Sequence, residues 1–218
     1  MALTHGSPAL TSVLARRSVS PKRLGGPGPT PPQLEAALAG ALRAPDHGGL
    51  RPWRVIHFPA AQRAALAQLF AAEKLRRDPL ASDDDLARAR EHALNAPTLL
   101  AFVVGIRSGT TIPAHEQWLA AGAALGNLLN AFHALGFGAI VLSGDRCADA
   151  VLAAALGLDA DEQLVGFVSA GTILKPPPPA PAASPGSVLS DWSADRPLVP
   201  SDPHRADMPS ENRPTDKG

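Results

Sequence analysis

The sequence predicts one domain in which helices and strands interleave around a buried sheet, followed by a proline-rich extension. Three observations carry this reading. With 218 residues, 45% of them apolar, the chain can enclose one sizeable core. Thr98 to Ile106 is a near-continuous apolar run of strand length, the pattern of a central strand covered on both faces. After Lys175 the composition changes abruptly, with eleven of the 23 prolines in residues 176–218, a segment that cannot build a core of its own. Residues 1–175 are therefore expected to form the domain and 176–218 a partly disordered extension, mobile beyond about Trp192.

The elements follow in order. Ser7-Pro8 is an N-cap with the favoured first-turn proline, and Leu10, Val13 and Leu14 follow at helical spacing, so a short helix delivers Arg16 and Arg17 at its end. Residues 19–29, rich in proline and glycine, read as a connecting loop. Thr30-Pro31-Pro32-Gln33 fits a capping box, and Leu34, Ala37, Leu38, Ala41 and Leu42 mark one face of the next helix, which Pro45 closes. Trp53 to Phe58 is a strand. Ala60 to Arg77 is a helix with Leu66, Leu69 and Phe70 inward.

Asp83-Asp84-Asp85 places negative charge at the start of a helix that runs to about Leu94 and ends at Asn95-Ala96-Pro97. The central strand comes next. From about Pro113 to Leu135 a long helix carries Ala120, Ala121, Gly122, Ala123, Ala124 and Gly126, small enough to admit a close neighbour in the core or in a dimer. Gly136-Phe137-Gly138 breaks it. Ala139 to Leu142 is a further strand, Ser143-Gly144-Asp145 turns into a helix over Ala148 to Leu156, and Gln163 to Ser169 is the last core strand.

Composition narrows the function. Formal net charge is zero, which disfavours nonspecific binding to nucleic acid or an acidic membrane surface. The single cysteine, Cys147, excludes an intramolecular disulfide framework and thiolate-rich metal sites, and fits a reducing compartment. No run reaches the roughly 18 apolar residues of a membrane span, and the first residues lack a signal-peptide pattern. A cytoplasmic protein is expected. Neither GxGxxG nor GxxxxGK[ST] occurs, so a bound phosphate would be held by arginines rather than a glycine cradle.

Two segments suit such a ligand. Arg16-Arg17-Ser18 offers two forked guanidiniums and a hydroxyl to a phosphate, though arginines also stabilise any helix C-terminus. Arg43-Ala44-Pro45-Asp46-His47-Gly48-Gly49-Leu50-Arg51-Pro52-Trp53 is a proline-bounded, glycine-containing loop whose polar side chains suit the flat edge of a heterocycle. Together they point to a nucleotide-like cofactor. Asp46 reads as a turn residue and Trp53 as core.

With Asn95-Ala96-Pro97, Glu116-Gln117, Ala121-Gly122, Gly136-Phe137-Gly138, Ser143-Gly144, Val165-Gly166-Phe167 and Gly171-Thr172 in order behind these segments, the chain resembles the FMN-dependent nitroreductases. Within that family it is similar to the small NAD(P)H nitroreductase subgroup with short insertions. The resemblance spans roughly residues 10–175. It implies an α+β fold with a central, mostly antiparallel sheet flanked by helices, assembled as an intertwined homodimer with FMN at the subunit interface. It also implies an oxidoreductase that passes a hydride from NADH or NADPH through the flavin to a nitroaromatic, a quinone or a similar small acceptor, with no nucleic acid, metal or membrane partner.

Carried over by position, Arg16, Arg17 and Ser18 match the segment that holds the FMN phosphate and ribityl chain. Arg43 and His47 match positions that approach the flavin from the partner chain. Val141, Leu142, Ser143 and Gly144 match the strand end that lies along the ring, with Gly144 offering its N–H. Here the chain departs from the subgroup, which carries tryptophan and arginine before the serine. Val141 and Leu142 offer only backbone and apolar contact, which leaves open an alternative: a flavin store, sensor or interaction protein with little turnover.

Glu116 is either a cleft carboxylate or a helix-start acid, and Lys175 either reaches the phosphate or is a solvated strand end. His115 and His133 lack spaced metal-ligand partners. Arg146 beside Cys147 is expected to lower the thiol pKa.

Overall fold

The computed structural model describes residues 7–179 and 184–194; the mobility expected beyond Trp192 falls almost wholly outside them. A compact unit closing at Pro177 holds all the helices and strands described below. Its centre is β3 (Thr98–Gly105), the apolar run, buried from Thr98 to Val104. β3 pairs antiparallel with β2 (Trp53–His57) on one side and β5 (Glu162–Ile173) on the other. β4 (Gly138–Leu142) and the two-residue β1 (Leu24–Gly25) both pair antiparallel with β5. Phe102 lies opposite Gly166 and Val103 opposite Leu164, so Val165 is the extra residue of a bulge.

Helices cover both faces, which is why β3 is apolar without alternation. α2 (Pro31–Ala41) and α5 (Ala114–Ala134) pack Ala37, Ala41, Ala124, Leu128 and Phe132 against Leu100, Phe102 and Val168. On the other face, α3 (Arg63–Arg77), α4 (Asp83–Leu94) and α6 (Ala150–Ala155) pack Leu66, Phe70, Ala93 and Leu152 against Leu99, Ala101, Val103 and Phe167. Trp53 stacks on Phe102 with ring centres 5.6 Å apart, a core role. α1 (Pro8–Ala15) buries no residue.

The helix expected from Ala60 begins as a 3-10 turn over Ala60–Gln62, and other boundaries also differ from the sequence reading. β1 lies inside the segment read as loop, because Leu24 and Gly25 complete the end of β5 opposite Ile173 and Thr172. β5 extends to Ile173, past Ser169, for the same reason. The helix expected over Ala148 to Leu156 is the shorter α6, Ala150–Ala155, because the turn before it continues as a 3-10 turn over Asp145–Ala148 and Asp149 then caps α6 by accepting from the Leu152 N–H.

A buried arginine ties the second layer together. Arg63 donates to the carbonyls of Phe58, Ala93, Ala96 and Pro97 at 2.8–3.2 Å, joining the start of α3 to the end of α4 and the entry to β3. These carbonyls include groups a helix C-terminus leaves unbonded. Arg63→Met should therefore destabilise the fold by about 3 kcal/mol, because buried carbonyls deprived of a donor cost about 1–3 kcal/mol each; urea unfolding monitored by circular dichroism measures this.

A second tie fixes the far end of β5. Glu162 accepts two hydrogen bonds from Arg54, at 2.6 and 2.7 Å, and these hold its carboxyl below the ordinary value of 4.5. A carboxylate with a depressed folded pKa contributes stability that is complete above its unfolded value and is lost as pH falls through the folded one. Stability should decline as pH falls below about 4.5, and Glu162→Gln should make that decline shallower in urea titrations at successive pH values.

Candidate functional site

β4 gathers the first group of predicted site residues. On one side it pairs with β5; on the other, Ser18 forms a parallel bridge with Ala139, and the Val19 N–H donates to the Ala139 carbonyl at 3.1 Å. Arg16 and Arg17, both half-buried, enter directly from α1, and Ser18 is exposed. The segment 16–18 therefore lies by the start of the strand whose other end carries Val141 to Gly144. From Ala139 to Ser143 is roughly 13 Å at about 3.3 Å per residue. That is comparable with an extended ribityl phosphate and the first part of a ring system.

The register sorts the strand end. Val141 lies opposite Val168 and packs toward the α2/α5 core, whereas Leu142 lies opposite Phe167 on the other face. Only Leu142 opens into a cavity of about 420 Å³ whose walls include Ser20, Lys22, His92, Ser143, Gly144 and Arg146. Leu99, Phe167 and Ser169 from the sheet close its inner side. Gly144 stands in extended backbone, and a Cβ there would meet nothing within 4 Å.

Arg146 dominates the polar end. Its guanidinium carbon sits 4.2 Å from the centre of the Phe70 ring, and Nη2 donates to His92 Nδ1 at 3.1 Å. Nε lies 3.9 Å from Glu73 Oε2, a buried oxygen with no hydrogen-bond partner among the described residues. The other oxygen, Oε1, accepts from Arg77 Nε at 2.8 Å. Partial burial, then the adjacent Arg146 charge, holds the His92 imidazole below its ordinary pKa of 6.5. Burial also lowers the Arg146 pKa, with Glu73 opposing it.

Arg43 and His47 stand apart from this cavity. Arg43 is exposed at the end of α2, in a shallow depression of about 300 Å³ with Asp46, Arg51 and Trp53. His47 is exposed, with Nδ1 2.6 Å from Glu116 Oε2 in the first turn of α5. Neither lines the cavity at the end of β4. Asp46 is a turn residue: its Oδ2 accepts from the Arg51 N–H at 2.6 Å, within a loop where Gly48, Gly49 and Arg51 all have positive φ.

Lys175 is exposed beyond β5, its N–H directed to the Arg23 carbonyl. No cluster of three His, Cys, Asp or Glu residues suited to a metal occurs among the described residues, and none of their helices is long and apolar enough to cross a membrane.

Sequence reasoning missed Lys22 and His92, and considered Arg146 only as a neighbour of Cys147. Arg146 is two residues beyond Gly144, but its direction is set by Phe70, which is distant in sequence. The Cys147 expectation is corrected: the half-buried thiol has a raised pKa, because desolvation outweighs the Arg146 charge. Alkylation by iodoacetamide should accordingly be slow at neutral pH, with a rate midpoint above the value of about 8.5 for free cysteine; mass spectrometry across a pH series measures it.

Comparison with known proteins gives the context of this geometry. The model of the nitroreductase family matches residues 13–172. "Putative NAD(P)H nitroreductase YdjA" of Escherichia coli K12 is 33% identical over 165 residues, covering 75% of this chain and 87% of that protein. Among solved structures, a nitroreductase-like family protein from Bacillus cereus aligns with a TM-score of 0.73 at 18% identity, over 88% of this chain and all of its own. The FMN and NADPH-dependent nitroreductase NfnB of a Sphigopyxis strain aligns with a TM-score of 0.67 at 18% identity, over 86% of this chain and all of its own. At such identities the structural likeness speaks for the fold.

Proposed function

The chain belongs to the nitroreductase family, and from that premise we propose that it is an FMN-dependent oxidoreductase passing a hydride from NADH or NADPH to a nitroaromatic, a quinone or a similar small acceptor. The observation that carries this reading is the Ser18–Ala139 bridge, which lays the arginine pair and the Val141–Gly144 segment along one strand. The donor set fits the cofactor. Arg16 and Arg17 supply forked cationic donors for a phosphate, and Ser18 is exposed beside them to meet the ribityl chain.

The ring belongs along Leu142, Ser143 and Gly144, where an apolar wall and a polar end share one cavity of a size typical for ligand sites. Val141 would contribute backbone only, because its side chain faces the core. Bound FMN supplies the two-electron chemistry; the protein's task is to hold, orient and electrostatically tune it. Nothing in this task needs a metal or an acid–base pair from the protein.

Arg43 and His47 lie too far round the fold to serve this cavity in their own chain, since α2 and α5 occupy the opposite face of the sheet. We assign them to the site of a second subunit, in a homodimer with FMN at the interface. Residues 1–175 are then the flavin domain and 176–218 an extension of it. The reducing compartment suggested by the lone cysteine makes the cytoplasm its place of work.

Purified protein should be yellow, release FMN identifiable by mass, sediment as a dimer, and bleach anaerobically with NADH or NADPH. Arg16→Ala should weaken FMN binding by about 10- to 100-fold, the equivalent of about 1.5–3 kcal/mol for a charge-assisted hydrogen bond. A colourless monomer that ignores added FMN would refute the reading. Tight FMN with negligible reduction in stopped flow would favour the store or sensor that Leu142 brings to mind.

A further inference from the structure

The cavity beside Leu142 holds a hydrogen-bonding unit that neither family membership nor the sequence motifs assign. We propose that Arg146 and His92 act together as the donor group for the carbonyl edge of the flavin pyrimidine ring, supplying at one cavity the hydrogen bonds that the apolar side chain of Leu142 does not. The inference rests on the flavin reading above and concerns the same site.

Donor and acceptor chemistry fixes the direction of the pair. Arginine has five N–H donors and no acceptor, so the 3.1 Å contact with His92 requires Nδ1 to be the unprotonated nitrogen. The imidazole is thereby held neutral with its proton on Nε2, leaving that N–H to donate elsewhere. The lowered pKa of His92, set by burial and then by the Arg146 charge, agrees with the neutral form. A neutral donor beside a cation is suited to a carbonyl oxygen.

Arg146 itself is held in place without having its donors consumed. Phe70 supports one face of the guanidinium at 4.2 Å, and the nearest carboxylate oxygen, on Glu73, is 3.9 Å away, outside hydrogen-bond range. Among the described residues the only hydrogen bond of its side chain is the one to His92. The other arginine at the cavity is differently placed: Arg77 bonds Glu73 at 2.8 Å and reaches Asp145 at 3.4 Å. That pairing leaves Arg146 as the guanidinium available to a ligand.

The ligand edge that matches is one rich in acceptors and more negative after reduction. The pyrimidine edge of a flavin has two carbonyl oxygens and a ring nitrogen that carries charge in the reduced anion. A cation in partly desolvated surroundings stabilises that form more than it would in water. Arg146 thus supplies from the turn after β4 the charge that Leu142 cannot.

The test uses full-length protein loaded with FMN and measures two equilibrium properties, the midpoint potential and the affinity for sulfite, whose covalent flavin adduct is also favoured by positive charge at this edge. Arg146→Gln should weaken sulfite binding and the preference for reduced over oxidised flavin by about tenfold, a shift of about 30 mV to more negative potential for a two-electron couple. Arg146→Lys should restore part of both. His92→Ala should weaken FMN binding by about tenfold, while His92→Gln, which keeps an N–H donor, should bind more nearly as the native protein does.

If Arg146→Gln proves unstable, Arg146→Lys and the two His92 variants carry the test. Native protein that binds no FMN would overturn the flavin reading and this assignment together. Native protein that binds FMN, with variants whose potentials and sulfite and FMN affinities stay unchanged, would overturn this assignment alone.

Discussion

The candidate site depends on how closely β4 lies against its neighbours. A Cβ at Gly138 would come within 2.8 Å of Ile173 and Leu24 and 3.0 Å of Val19, and one at Gly166 would meet Val141 at 2.9 Å. Only bare backbone allows the N-terminal segment, β4 and β5 to approach so tightly. That closeness brings Ser18 to Ala139. It also sets the arginine pair beside the start of the strand whose other end leads into Leu142, Ser143 and Gly144, although more than 120 residues separate them in sequence.

Elements with strong local signals were legible in the sequence. The apolar run at Thr98, the small-residue helix ended by Gly136 and the acidic start of α4 each announced a structure through periodicity, chain breaking or charge. β1 was not legible, because two residues beside a proline and glycine loop become a strand only through the end of β5. Arg63 was equally hidden, since in a helix rich in alanine and arginine nothing local marks which guanidinium is buried.

The site divides in the same way. The phosphate-binding candidates and the strand-end segment could be chosen from residue types and resemblance, because each is contiguous. His92 and Arg146, 54 residues apart, meet only after α4 and the turn following β4 pack on the same sheet face around Phe70. Leu142, read from the sequence as the loss of a charged contact, takes another meaning in three dimensions: its side chain and Arg146 line one cavity. Val141, its neighbour, is turned away by the alternation of the strand.

Two enclosed arginines show how burial alone fails to identify function. Arg63 gives four hydrogen bonds to four backbone carbonyls, so almost all its donor capacity is spent on the fold, and the removal of water from its charge is offset by fixed dipoles. Arg146 is also drawn from water, yet it bonds one imidazole, rests on an aromatic ring and stops short of a buried carboxylate. Its desolvation is therefore offset less completely within the chain itself. A guanidinium that remains underbonded at the wall of a cavity gains most when an acceptor enters, and the energetic asymmetry between the two arginines separates a structural tie from a binding group.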